Sequence, residues 1–289
     1  MTKEIIVGYD GSAPSTEAVF WAADEAKVRG SVLRIVSCFG VPIAADPMSG
    51  WAPTAYSSVI DAGQTELARI KEVVAEQTPG VEIINEVLAE SPAYALVDSA
   101  DAEDLMVVGA SSHHGAAAFW LGSTARHVVR HSPCPVVVVR GAASRGCPDR
   151  VVVGIDGSAI SNRALAWAGE EADRHHVGLL IVHTWLYPYL PVDTSAAQAR
   201  DLVSVDAACV LNRAIESARE QFAAEIHGQL VEGSPAVSLL EVVRDGDLLV
   251  VGSHGRGALA ANVFGSTVNH VLDGSAVPVV VVRGTNDDD

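Results

Sequence analysis

The chain has 289 residues, of which 49% are hydrophobic and 19% charged, and it carries a formal net charge of -17. That length suits two domains with cores of ordinary size, and the apolar share excludes a disordered chain. The acidic balance excludes a general partnership with DNA or RNA, because a polyanion is repelled unless a basic stripe overrides it, and the only lysines are Lys3, Lys27 and Lys71.

In the first half, short Val/Ile/Leu runs predict strands at 4–9, 32–39, 81–88, 104–109 and 135–140, with helices at 14–29, 57–77, 92–101 and 123–131. A stretch rich in Gly, Ser and Pro at 141–149 then reads as a linker. The second half predicts strands at 150–155, 178–185, 227–232, 247–252 and 277–282, and helices at 159–175, 195–226, 235–244 and 266–274. The strand runs are continuous rather than alternating, as strands covered on both faces are. Strict alternation of strand and helix gives an α/β class with a parallel sheet between two helix layers. The domains expected are 1–141 and 149–284, with 142–148 joining them and 285–289 forming an acidic tail. Apolar runs such as VVVV at 136–139 are far too short to span a membrane, and no basic-then-apolar leader opens the chain. A cytoplasmic protein without a membrane partner is expected.

The halves repeat one another. VGYDGS at 7–12 returns as VGIDGS at 153–158, an offset of 146, and VVGASSHHGAAAFWLGST at 107–124 returns as VVGSHGRGALAANVFGST at 250–267, an offset of 143. Trp21 matches Trp167 at 146 and Pro92 matches Pro235 at 143, so three residues are lost between 21 and 92, where a Pro-rich loop offers the cheapest place.

In an open parallel sheet, ligands bind beyond the carboxyl ends of the strands, where the winding reverses. The two glycine-bearing turns follow the first and fourth strands of each half, so they share one crevice if those strands are neighbours. Gly252 and Gly255 permit a tight turn and close approach to a ligand, while Gly265, Ser266 and Thr267 place hydroxyls and free N–H groups at a helix start, a natural phosphate site. No GxxxxGK[ST] motif occurs. GRGALA, which includes Gly257, fits GxGxxA, but it follows the fourth strand and lacks a fitting acidic residue, which counts against a dinucleotide fingerprint. The four cysteines lack CxxC spacing and read as free thiols. His113 and His114 read as solvated loop residues, His175 and His176 as partners of a helix C-terminus, and Trp21 and Trp167 as core. No protein metal site and no catalytic set stand out.

On these motifs the chain resembles the universal stress proteins in tandem form. Their nucleotide-binding members carry G-x2-G-x9-G-[ST], matched by Gly252, Gly255, Gly265 and Ser266, and the likeness extends to both DGS turns, the SPA turns at 91–93 and 234–236, and both PVVVVR ends. The resemblance implies two tandem three-layer α/β/α domains, each with a five-stranded parallel sheet in the adenine-nucleotide-binding, Rossmann-like arrangement. It also implies ATP as ligand, with any Mg2+ held through the phosphates, and a homodimer. By position it assigns Gly8, Asp10, Gly154 and Asp156 to the ribose or adenine side, Cys38 and Thr184 to the adenine wall, and Val108 and Val251 to backbone contacts with the base. The phosphate loops become Gly109, Ser112, His113, Gly115, Gly122, Ser123 and Thr124 in one half, and Gly252, Gly255, Arg256, Gly257, Gly265, Ser266 and Thr267 in the other. Asp10 and Asp156 also fit the plainer role of turn-formers and caps.

The first half departs from the motif at Ser112, which stands where the second has Gly255. If the glycine is there for a positive φ, serine costs on the order of 1 kcal/mol; if it is there for close approach, the side chain blocks the ligand. Weaker binding in the first half is the expectation. An ATP-binding stress or growth-regulatory protein acting on an unknown protein partner, an ATP-hydrolysing or adenylating enzyme of the same broad fold, and a nucleotide-free dimerisation module are the three readings. The apolar PVVVVR strands call for cover by another domain or chain.

Overall fold

The computed structural model describes residues 3–39, 53–110, 121–140, 147–187, 194–255 and 265–284. Two compact units emerge, Met1–Cys147 and Pro148–Asp289. Unit 1 runs β1 (Glu4–Gly8), α1 (Ala13–Arg29), β2 (Val32–Cys38), α2 (Pro53–Gln77), β3 (Ile83–Leu88), α3 (Pro92–Asp98), β4 (Leu105–Gly109), α4 (Ser123–His131) and β5 (Val136–Val139). Its strands pair in the order β3-β2-β1-β4-β5, all parallel. Unit 2 repeats the series as β6 (Arg150–Ile155), α5 (Ala159–His175), β7 (Gly178–Trp185), α6 (Thr194–Gln221), β8 (Ile226–Glu232), α7 (Pro235–Val242), β9 (Asp247–Gly252), α8 (Ser266–Gly274) and β10 (Val279–Val282). Its order is β8-β7-β6-β9-β10, again all parallel. Each unit is thus a five-stranded Rossmann-like sheet, and the first and fourth strands are neighbours, with Ile5 beside Leu105 and Val151 beside Leu248.

Packing follows from side-chain size. Ala18, Ala22 and Ala26 recur every four residues along α1 and are almost wholly buried, as are Ala164, Ala168 and Ala172 on α5. Four-residue spacing puts these small side chains on one helix face, which lies close on the first and fourth strands of its unit. Ser12 and Ser158 start the two helices by accepting hydrogen bonds from the N–H groups of Ser15 and Ser161, at 3.3 and 3.2 Å. The central strands are mostly buried, whereas β3 and β8, first in their pairing orders, are largely part-exposed and carry polar residues such as Asn85 and Gln229. The expectation of strands covered on both faces therefore fails for these two.

Element limits depart from the sequence reading at several places, among them α2, which starts at Pro53 where 57 was expected. The helix expected at 195–226 stops at Gln221, because the Asp173 carboxylate accepts hydrogen bonds from the N–H groups of Ala223 and Ala224, at 3.1 and 2.7 Å, and draws the chain out of the helix. The helix expected at 92–101 ends at Asp98. The three lost residues are also divided. Helices α2 and α6 end at Gln77 and Gln221, an offset of 144, while Ile83 and Ile226 hold equivalent sheet positions at 143. Two residues are thus lost before α6 ends and the third in the turn after it. His175, expected to serve the helix end alone, is buried with Nε2 3.2 Å from the Glu171 carboxylate. Among the described residues, no helix is long and apolar enough to cross a membrane.

Candidate functional site

The first wall of each site is the turn after the first strand. Gly11 and Gly157 sit in the left-handed region at φ 78° and 77°, where a residue with a Cβ is strained. Asp10 and Asp156 fold these turns by accepting hydrogen bonds on Oδ1 from the N–H groups of Ser12 and Ser158, at 3.0 and 2.9 Å. The turn-forming role is therefore present in both. Burial pushes the Asp10 carboxyl up, yet hydrogen bonds from Ser12 and Ser15 outweigh it and leave the group below its ordinary value.

Behind the aspartates, Gly8 and Gly154 admit α3 and α7 close to the sheet. A Cβ at either would lie 2.9 Å from Cδ1 of Leu96 or Leu239. Both leucines, and Pro92 and Pro235 at the start of their helices, line the sites. The sequence reading missed all four, although the repeated SPA turns mark where those helices begin.

The second wall is the turn after the fourth strand. A Cβ at Gly109 would stand 2.6 Å from the backbone carbonyl carbon of Pro14, and one at Gly252 would stand 2.7 Å from Cγ2 of Ile160. Gly255 has no positive φ; its Cβ would instead run into the Asp156 carboxylate, 3.3 Å from Cγ and nearer still to Oδ2. Glycine at that place answers to close approach, not to backbone conformation. The loop returns when Gly122 and Gly265 donate their N–H groups to the carbonyls of Ala110 and Ser253, at 2.7 and 3.2 Å. These glycines are N-caps of α4 and α8 at φ -60° and -59°, and neither helix has a side-chain cap. The contrast with serine-capped α1 and α5 is direct: here the first-turn N–H groups face the site, with the helix dipole behind them.

In unit 2, Gly154, Asp156, Thr184, Val251, Gly252, Gly255, Gly265, Ser266 and Thr267 all line one cavity of about 660 Å³. In unit 1, Gly8, Asp10, Cys38, Val108, Gly109, Gly122, Ser123 and Thr124 line one of about 160 Å³. Ligand cavities usually span roughly 300–1,000 Å³, so unit 2 is ligand-sized and unit 1 is not. Ser112, His113, Gly115, Arg256 and Gly257 lie outside the described residues. His254 and Asn269 join the unit 2 lining without having been expected. At the back of the cavities, Cys38 is held as a neutral thiol by burial and by the charges of Glu86 and Glu90, which push its pKa up to about 11. Its counterpart Thr184 offers a hydroxyl that does not titrate. All four cysteines are free.

A doubled parallel α/β unit with a glycine-lined, uncapped helix start at its switch point defines the class. The family model for the universal stress protein family matches residues 1–140 and 148–283. The chain belongs to that family. It is 29% identical over 287 residues to a universal stress protein of Mycolicibacterium smegmatis, covering 96% of each chain. A Mycobacterium tuberculosis universal stress protein is 30% identical over 294 residues, again with 96% of each covered. Among solved structures, a universal stress protein from Archaeoglobus fulgidus superposes with a TM-score of 0.66 at 20% identity, covering 97% of this chain and 98% of that one, a likeness of fold.

Proposed function

We propose that this universal stress protein binds ATP in unit 2, and that occupancy of the site sets its conformation or its choice of protein partner in a stress or growth-regulatory response. The observation that carries the reading is the ligand-sized cavity between the Asp156 turn and the uncapped start of α8. The first-turn N–H groups and the hydroxyls of Ser266 and Thr267 would hold phosphate oxygens, and any Mg2+ would be held through those phosphates. The Asp156 turn and Thr184 would take the ribose and adenine side. Gly252 and Gly255 would let the turn after β9 pass close to Ile160 and to the Asp156 carboxylate, where a Cβ has no room, and so keep that wall of the site in place.

Sensing fits better than turnover. Phosphoryl transfer needs its developing charge neutralised, and Arg256 with a phosphate-bound Mg2+ would be the equipment for it in this loop, with no general base or lysine read beside them in the sequence. Cytoplasmic residence and pairing with a second copy belong to the same reading. The test is mass analysis of nucleotide released when freshly purified protein is denatured, followed by titration with ATP. Co-purified or tightly bound adenine nucleotide is expected; neither retention nor binding of added ATP would overturn the proposal.

A further inference from the structure

Unit 2 holds a second cavity of about 450 Å³ between α5 and α6. Its reason lies in the repeat. With the offset of 146 that relates α1 to α5 and 144 that relates α2 to α6, four lining residues answer to larger ones in unit 1: Ile155 to Tyr9, Ala166 to Phe20, Val210 to Glu66 and Ala214 to Ile70. In unit 1 those larger side chains occupy the space. Tyr9, Phe20 and Ile70 are buried there, and the Tyr9 hydroxyl donates to the Glu66 carboxylate at 2.8 Å. Glu66 in turn accepts from Arg69, whose Nη2 stands 2.6 Å from Oε1.

The arginine alone is kept in unit 2. Arg213 answers to Arg69 and lines the cavity, but its carboxylate partner is now a valine, and among the described residues it has no ion pair or hydrogen bond. The cavity therefore lacks the Tyr9 and Phe20 rings and the carboxylate that unit 1 supplies from its own chain, and keeps one aromatic side chain, Phe222, in its lining. We propose that this cavity is a binding site for a small aromatic monocarboxylate, whose ring fills the space of Phe20 and Tyr9 and whose carboxylate takes the place of Glu66 beside Arg213. Guanidinium and carboxylate pair through matched, charge-assisted hydrogen bonds, and the apolar part of a mixed lining, Ile155, Leu165, Ala166 and Phe222, takes the ring. The size falls within the usual range for small-molecule sites. The proposal does not depend on nucleotide binding in the first cavity.

Calorimetric titration of the full chain with 2-naphthoate tests it, with 2-naphthamide as the uncharged control. One naphthoate per chain is expected, with affinity about tenfold or more above that of the amide, the scale of one charge-assisted hydrogen bond. Arg213→Met should erase the preference for the charged form, and Ala166→Phe, which installs the residue of unit 1, should weaken naphthoate about tenfold or more. If circular dichroism shows that Ala166→Phe fails to fold, Val210→Glu, which gives Arg213 an internal carboxylate, reads the same question and should also weaken naphthoate. No saturable binding, a carboxylate preference that survives Arg213→Met, or full binding in a folded Ala166→Phe or Val210→Glu protein would each overturn the proposal.

Discussion

Units 1 and 2 share strand order, serine-capped first helices, Asx turns and uncapped helix starts, yet they enclose different spaces. The site at the switch point measures about 160 Å³ in unit 1 and about 660 Å³ in unit 2. Between the first two helices, unit 1 is filled by the buried Tyr9, Phe20 and Ile70, with the part-exposed Glu66 at the edge, where unit 2 has a cavity of about 450 Å³. Backbone geometry has been held while side-chain volume has diverged. The lesson is that a duplicated fold keeps the contacts that position its elements and is free to empty or fill the spaces between them. Unit 1 reads as the self-packed copy and unit 2 as the open one.

The largest expected effect separates the units by stability. Gly109→Ala forces a Cβ against the Pro14 backbone, whereas Gly252→Ala meets chiefly Cγ2 of the buried, β-branched Ile160 and stays 3.4 Å from its backbone. Overpacking typically costs about 1–3 kcal/mol, so Gly109→Ala should lie at or above the top of that range and Gly252→Ala within it. Thermal melts that reverse this order would break the comparison.

Next in size is an exchange of binding capacity. Because a Cβ at Gly255 meets Asp156, Gly255→Ala should weaken ATP about tenfold or more, an energy of about 1.4 kcal/mol. Ser112→Gly, at the aligned position, should raise ATP affinity in unit 1. Equal behaviour of wild type and Ser112→Gly in equilibrium dialysis would assign the difference between units to cavity volume alone.

A smaller effect concerns thiol chemistry. With its pKa pushed up to about 11, Cys38 should alkylate slowly at pH 8, behind the exposed Cys147 and Cys209. ATP should not slow Cys38 further in wild type but should do so in Ser112→Gly, as mass spectrometry of labelled peptides would read. Protection of Cys38 in wild type would place nucleotide in unit 1.

The smallest effect is one of pH. The Asp10 carboxyl titrates below its ordinary value of 3.8 in the folded chain, so it stabilises unit 1 at pH values above that figure and loses the contribution as pH falls through the lower folded value. Melts compared between wild type and Asp10→Asn should differ at pH 6 and converge toward pH 3. A gap that widens on acidification would contradict the hydrogen-bonded turn.

Much of this was legible from repetition. Doubled DGS turns and GST steps marked the two site-forming turns and the helix starts at Ser123 and Ser266, because backbone demands write themselves as glycines and hydroxyls at fixed spacing, while the adjacency of first and fourth strands, on which the shared crevice depends, was only a condition until the strand pairing showed it. Walls built from ordinary apolar residues were not legible: nothing marks Leu96 or Leu239 until α3 and α7 are seen to press on Gly8 and Gly154. The reason for Gly255 also needed coordinates, since a glycine looks the same in sequence whether it serves φ or proximity. The end of α6 was hidden because Phe222, Ala223 and Ala224 continue a helical composition, and the Asp173 carboxylate that captures their N–H groups lies about fifty residues away in the chain. The second cavity stayed out of sight for a related reason, as the pairing of Arg69 with Arg213 appears only once the lost residues are divided between two places.

The most direct test of the open and closed pair is ATP stoichiometry by calorimetry on nucleotide-free wild type and Gly255→Ala. The account predicts one site per chain in wild type and that same site about tenfold or more weaker in a folded Gly255→Ala protein, whose new Cβ meets Asp156. Two equal sites in wild type, or one undiminished site in Gly255→Ala, would contradict it.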